Sequence, residues 1–172
     1  MNVNLAELAK EIHEAAVEKG FWDVEDALEK HLAKMISELG EIVQADRAGI
    51  LYEVEREGAK PEGVAAEIAD FVMMTMDLCV ELKGSFPEDD IETWNTNKDA
   101  VNTIAAIPAH SLVGAFAASL TSMGEITDSG PMLRILYAAH IWLKMHGYDL
   151  WEIIRLKMEY NKSRPKLHGR AY

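Results

Sequence analysis

Apolar residues recur at helical spacing along nearly the whole chain, and no alternation of period two persists. Asn4 with Glu7 three residues later has the form of a capping box, and Gly20 suits a stop, so the pattern predicts a first helix over about 5–19. Asp23 can cap a second helix running to about Arg47, ahead of Gly49. Pro61 stands where the first turn of a third helix takes proline, and Gly84 ends that helix. Residues 85–98, "SFPEDDIETWNTNK", read as a loop with at most a short helical piece. Pro108 divides the Ala-rich stretch, with a helix after it towards Ile126. "TDSGP" restarts the chain, and Pro131 opens a helix ending near Gly147. Asp149 with Glu152 forms a second capping box, opening a last helix to about Ser163 that Pro165 closes. No repeat and no domain boundary interrupts this series. The expectation is an all-α helical bundle, one domain over 1–172, with a polar, flexible tail over about 165–172.

The third helix breaks the usual amphipathic pattern. Val64, Ile68, Phe71, Leu78, Cys79 and Leu82 form its stripe, yet Met73, Met74, Met76 and Val80 make the rest apolar too. A helix apolar all round is generally buried. Its acids are therefore conspicuous. At about 100° per residue, Glu67 and Asp70 share one flank, and Asp77, seven residues on, returns to it. The second helix repeats the design: Leu28, Leu32, Met35, Leu39 and Ile42 make the stripe, and Glu38 and Glu41 lie on the same relative flank. Both acid pairs fall about 9 Å from the connecting ends of their helices. Antiparallel packing would bring four carboxylates level.

Four carboxylates at close quarters raise one another's pKa, so a cation is expected among them. Oxygen ligands without sulfur or imidazole favour Mg²⁺, with Mn²⁺ as the alternative. Salt bridges to Lys34, Arg47 or Lys60 are the competing explanation, since acids three apart are common on exposed helices. None of the six histidines follows a Glu by three residues, which argues against a di-iron bundle site. No GxxxxGK[ST] is present. Asp77 is open between a buried hydrogen-bond partner and a site residue.

Composition narrows the field. A net charge of −12 argues against a nucleic-acid surface, although metal-bridged binding of a nucleotide polyphosphate stays open. Cys79 is the only cysteine, so no intrachain disulfide forms and a reducing cytoplasm is expected. The N-terminus has no signal-peptide pattern. Residues Ala100 to Gly124 lack Asp, Glu, Lys and Arg, but Asn102, Thr103, Pro108, His110 and Ser111 dilute them. They read as packed helix and not as a membrane span.

"ELGE" (Glu38 to Glu41) followed by "EIAD" (Glu67 to Asp70), with 25 residues between, resembles the ExxE…ExxD signature of the MazG-like all-α nucleoside triphosphate pyrophosphohydrolases. "MISELGEIVQADR", "EIADFVMMTMDL" and the closing "KMEYNKSRPKLHGR" extend the resemblance over about half the chain. Ser37 departs from it, since many members carry a further Glu there. The resemblance implies Mg²⁺-dependent cleavage between the α and β phosphates of a nucleotide, with Glu38, Glu41, Glu67 and Asp70 holding metal and doing the catalysis. It also implies a homodimer or homotetramer.

Lys157, Asn161 and Arg164 lie at i, i+4 and i+7 on the last helix, one face that can meet phosphates. A solvated basic helix end is the alternative; the resemblance favours Lys157 and Asn161 as ligands. Tyr160 stacks on a base or packs. Phe21 and Trp22 are candidates for stacking on a base, His13 a weaker one, and Asp77 is carried with the substrate-binding set. His168 and Arg170 can close over phosphates. Trp94, Trp142 and Trp151 are assigned to the core, and Met73, Met74 and Met76 to packing at a helix or subunit contact. The rival function is a non-catalytic helical module that binds a nucleotide or a protein partner.

Overall fold

The computed structural model describes residues 3–54, 59–86, 98–121 and 130–169. They form seven α-helices: α1 (Leu5–Glu18), α2 (Ala27–Ala48), α3 (Val64–Glu81), α4 (Lys98–Ala106), α5 (Ala109–Thr121), α6 (Gly130–Met145) and α7 (Leu150–Lys162). The protein is all-α, and among the described residues no helix is long and apolar enough to cross a membrane. Most of the expected loop over 85–98, Trp94, the helix end towards Ile126, most of "TDSGP" and Arg170 lie outside the described residues.

The local signals explain most boundaries. Asn4 accepts from the Glu7 N–H at 3.1 Å. Asp149 accepts from the N–H groups of Trp151 and Glu152. Pro108 separates α4 from α5 as its missing N–H dictates. Two caps differ from expectation. The residue before α2 is Asp26, not Asp23; it sits in the left-handed region at φ 55° without a side-chain cap. The intervening residues are used up by turns closing on α1, in which Phe21 N–H reaches the Ala16 carbonyl and Asp23 N–H reaches Gly20. The Asp23 carboxylate meets the Lys166 ammonium at 3.3 Å instead. Pro61 also stands outside the helix it was expected to open. Glu62 exchanges two backbone bonds with Glu53, and α3 starts only at Val64.

That connection sets the α2–α3 register. The first two amides of α3, Val64 and Ala65, donate to the Ile50 and Leu51 carbonyls of the connecting chain. Two orphan donors of the helix start are thus satisfied from the chain that follows α2. Gly63 makes the approach possible: its φ is +97°, and a Cβ there would lie 2.9 Å from the Ile50 carbonyl oxygen.

α3 is the central element, packed against α1, α2, α6 and α7. Phe71, Val72, Met76, Leu78 and Cys79 are fully buried, and Phe71 stacks on Phe116 of α5 at 5.2 Å. Met35, Leu39 and Ile42 carry the α2 stripe inward, whereas Leu28 at its start is exposed. Trp142 and Trp151 are core residues as expected. The chain after Pro165 turns back over Lys166–Gly169, with Leu167 and His168 in the left-handed region. The Leu167 N–H bonds to the Lys19 carbonyl at 2.8 Å, and the Lys19 ammonium donates to the Lys162 and Arg164 carbonyls. The end of α1 and the end of α7 are held side by side.

Candidate metal centre and adjoining cavity

Positions 38 and 31 of α2 face positions 67–70 and 74–77 of α3 respectively, the register of an antiparallel pair. Glu38, Glu67 and Asp70 each offer a carboxylate oxygen, all within 4.8 Å of one another. Glu38 and Glu67 are buried. Glu41 is one turn beyond Glu38 and lines the neighbouring cavity, outside this trio. Three of the four expected ligands therefore converge.

Burial, then the charges of Asp70 and Glu41, push the Glu38 pKa up to about 7. Burial also raises that of Glu67, against the pull of Lys157. One carboxylate oxygen on each, Oε2, is buried without a hydrogen-bond partner. Buried carboxylate oxygens that accept no hydrogen bond are costly, and a hard divalent cation is a group that suits them. The donor set fits Mg²⁺ or Mn²⁺ on that ground.

The last helix brings its charge to the acids directly. Lys157 is only 2% exposed; its ammonium lies 2.5 Å from Asp70 Oδ2 and 3.8 Å from Glu67 Oε2. Lys60 approaches the other oxygen of Glu67, Oε1, at 3.7 Å. Lys157 thus stands as an ion-pair partner of the cluster, where the sequence pattern placed it among phosphate ligands.

A cavity of about 340 Å³ opens beside the trio, within the range of small-molecule sites. Glu38, Glu41 and Asp70 form one part of its wall, with Lys60 and Lys157 among them. Tyr160 and Asn161 line it from α7 and Arg164 from just beyond its end, and Lys19, Lys34 and His168 add positive or titratable groups. Arg164 donates to Asn161 Oδ1 at 3.4 Å, and its guanidinium lies 5.8 Å from the Tyr160 ring centre. Phe21 lines the cavity too, with the Lys34 ammonium over its ring and the His168 ring edge-on to it. Met73 and Met74, expected only to pack, also face the cavity.

Asp77 is both a buried hydrogen-bond partner and a cavity residue. Its Oδ1 accepts from His13 Nδ1 at 2.7 Å and from Trp22 Nε1 at 3.0 Å. His31 Nδ1 lies 3.6 Å from its Oδ2. Burial raises the Asp77 pKa, and His31 with the two bonds pulls against it. Trp22, expected to stack on a base, stacks on His31 at 4.9 Å, one layer back from the wall. His31 was not anticipated as a site residue. The signal was available, since it lies two turns before Glu38 on the same face of α2.

Comparison with protein-family models, curated proteins and solved structures gave no match.

Proposed function

We propose that this protein is a metal-dependent nucleoside triphosphate pyrophosphohydrolase of the MazG-like type, cleaving between the α and β phosphates to give monophosphate and pyrophosphate. The observation that carries the reading is the Glu38–Glu67–Asp70 trio, its two glutamates buried and each with an Oε2 that accepts no hydrogen bond, opening on a cavity with basic residues. In this reading the trio holds Mg²⁺, or Mn²⁺, and the bound metal supplies Lewis acidity and offsets phosphate charge. Glu41, on the same wall, accepts a proton from the attacking water. Asn161 and Arg164 would bind phosphate oxygens, and the Lys157 ammonium, paired here with Asp70, would offset phosphate charge. A cytoplasmic homodimer or homotetramer belongs to the same proposal.

A second reading is favoured by the Lys157–Asp70 contact itself. Acids neutralised by an internal lysine, together with Ser37, suit a non-catalytic helical module. A panel of canonical deoxynucleoside and ribonucleoside triphosphates, assayed for pyrophosphate with and without Mg²⁺, separates the two. Hydrolysis should appear only with metal and vanish in Glu38→Gln and Glu67→Gln at unchanged helical content. Nucleotide binding without release across the panel would leave the module; release that survives both substitutions would remove the metal-site assignment.

A further inference from the structure

The cavity has a second pole. Asp70 and Asp77 are seven residues apart on α3, two helical turns or about 10 Å, comparable to the reach from a nucleotide's phosphates to the far edge of its base. Ile12, Met73 and Met74 add apolar surface to the cavity wall, the two methionines within one turn of Asp77 on α3. A base would bury its ring faces there. The buried polar groups set into this pole are Asp77 and His31, whose side chains are only 6% and 7% exposed; Lys30 and Lys34 line the cavity from the same helix as His31.

Their hydrogen bonding is directional. Asp77 Oδ1 is taken by the N–H donors of His13 and Trp22, which leaves Oδ2 as the oxygen turned to His31. His31 Nε2 lies 3.0 Å from the Met74 carbonyl, an acceptor only, so Nε2 carries the proton. Burial lowers the His31 pKa, against the pull of the Asp77 carboxylate; in the neutral ring with its proton on Nε2, Nδ1 is a bare lone pair. Two acceptors, Asp77 Oδ2 and His31 Nδ1, thus lie 3.6 Å apart. They ask for one atom that carries two hydrogens. An exocyclic amino group supplies them; a carbonyl in that place would add a third acceptor, with no hydrogen to share.

We infer that Asp77 and His31 are specificity-determining residues that select a nucleotide whose base bears an exocyclic amino group, with Trp22 and His13 as positioning residues behind them. Trp22 serves twice, donating to Asp77 and stacking on His31. The inference rests on the nucleotide-site reading above, but its test does not require hydrolysis.

The test is calorimetric titration of the full chain with deoxynucleoside monophosphates in pairs that differ at one amino group: dCMP against dUMP, and dAMP and dGMP each against dIMP. At least one amino-bearing member should bind about tenfold or more tighter than its counterpart, in the direction expected of a site built to hydrogen-bond its ligand. Asp77→Asn, which turns an acceptor into a donor, should abolish or reverse that preference. Trp22→Phe keeps the stack but loses the N–H, and should narrow the preference. Equal affinities within every pair, or tighter binding of the members that lack the amino group, would overturn the inference even if Mg²⁺-dependent pyrophosphate release is observed. Amino-selective binding without any release would uphold it and remove the hydrolase reading. Absence of both binding and release would remove both.

Discussion

Glu38→Gln separates a strained metal-ready acid from an ordinary structural one without any activity measurement. Glu38 is buried among Asp70, Glu41 and Glu67, and its pKa is displaced from 4.5 to about 7. Between those values the folded protein keeps a proton that the unfolded chain has released. The unfolded state binds fewer protons, so stability falls as pH rises through that window. Below about 4.5 both states hold the proton and Glu38 contributes nothing; above about 7 its full cost is present. The displacement corresponds to about 3 kcal/mol. Gln keeps the shape without the charge. In EDTA at pH 8 the variant should therefore be more stable than the parent by up to about 3 kcal/mol, and at pH 5 by less than about 1 kcal/mol. For a chain of this size that is a rise of about 6–12 °C in Tm at pH 8, read by circular dichroism. Adding Mg²⁺ should shrink the difference, because the parent gains ligand-linked stability, about 2.7 kcal/mol at a hundredfold excess over Kd. A variant less stable than the parent at pH 8 in EDTA, or a difference that does not change between pH 5 and 8, would refute the reasoning and make Glu38 a structural partner of its neighbours.

Lys157→Met should lower stability by about 3–5 kcal/mol at pH 8, because it leaves Asp70 and Glu67 without their buried cation. Urea unfolding should show that loss shrinking towards acid pH as Glu67, whose pKa burial raises, protonates; a loss independent of pH would assign it to packing. Gly63→Ala should cost at least about 2 kcal/mol, since strain at φ +97° adds to a 2.9 Å approach to the Ile50 carbonyl. Gly49→Ala, at φ +73° but with open space around its Cβ, should cost about 1 kcal/mol. Equal denaturation midpoints for the two glycine variants would contradict the close-approach argument.

Much of this protein is legible in one dimension because its causes are local. Asn4 and Asp149 cap their helices through bonds two or three residues long, and Pro108 breaks a helix through its own ring. The helical period by itself puts Glu38 beside Glu41 and Glu67 beside Asp70, and the apolar surface of α3 marks it as buried before any packing is known. Asp23 and Pro61 were misleading because turns closing on a neighbouring helix and a backbone bridge outcompeted an adequate local signal. The charge state and partners of the site were decided only in three dimensions. Lys157 reaches Asp70 across 87 positions of chain, and His13 reaches Asp77 across 64. The same holds for His31, which faces Asp77 only because the α2–α3 connection holds the two helices in that register. Helical period states which residues share a face, but not which face of another helix it will meet. That is settled by the packing of Met35, Ile42, Ile68 and Phe71, residues that take no part in the chemistry.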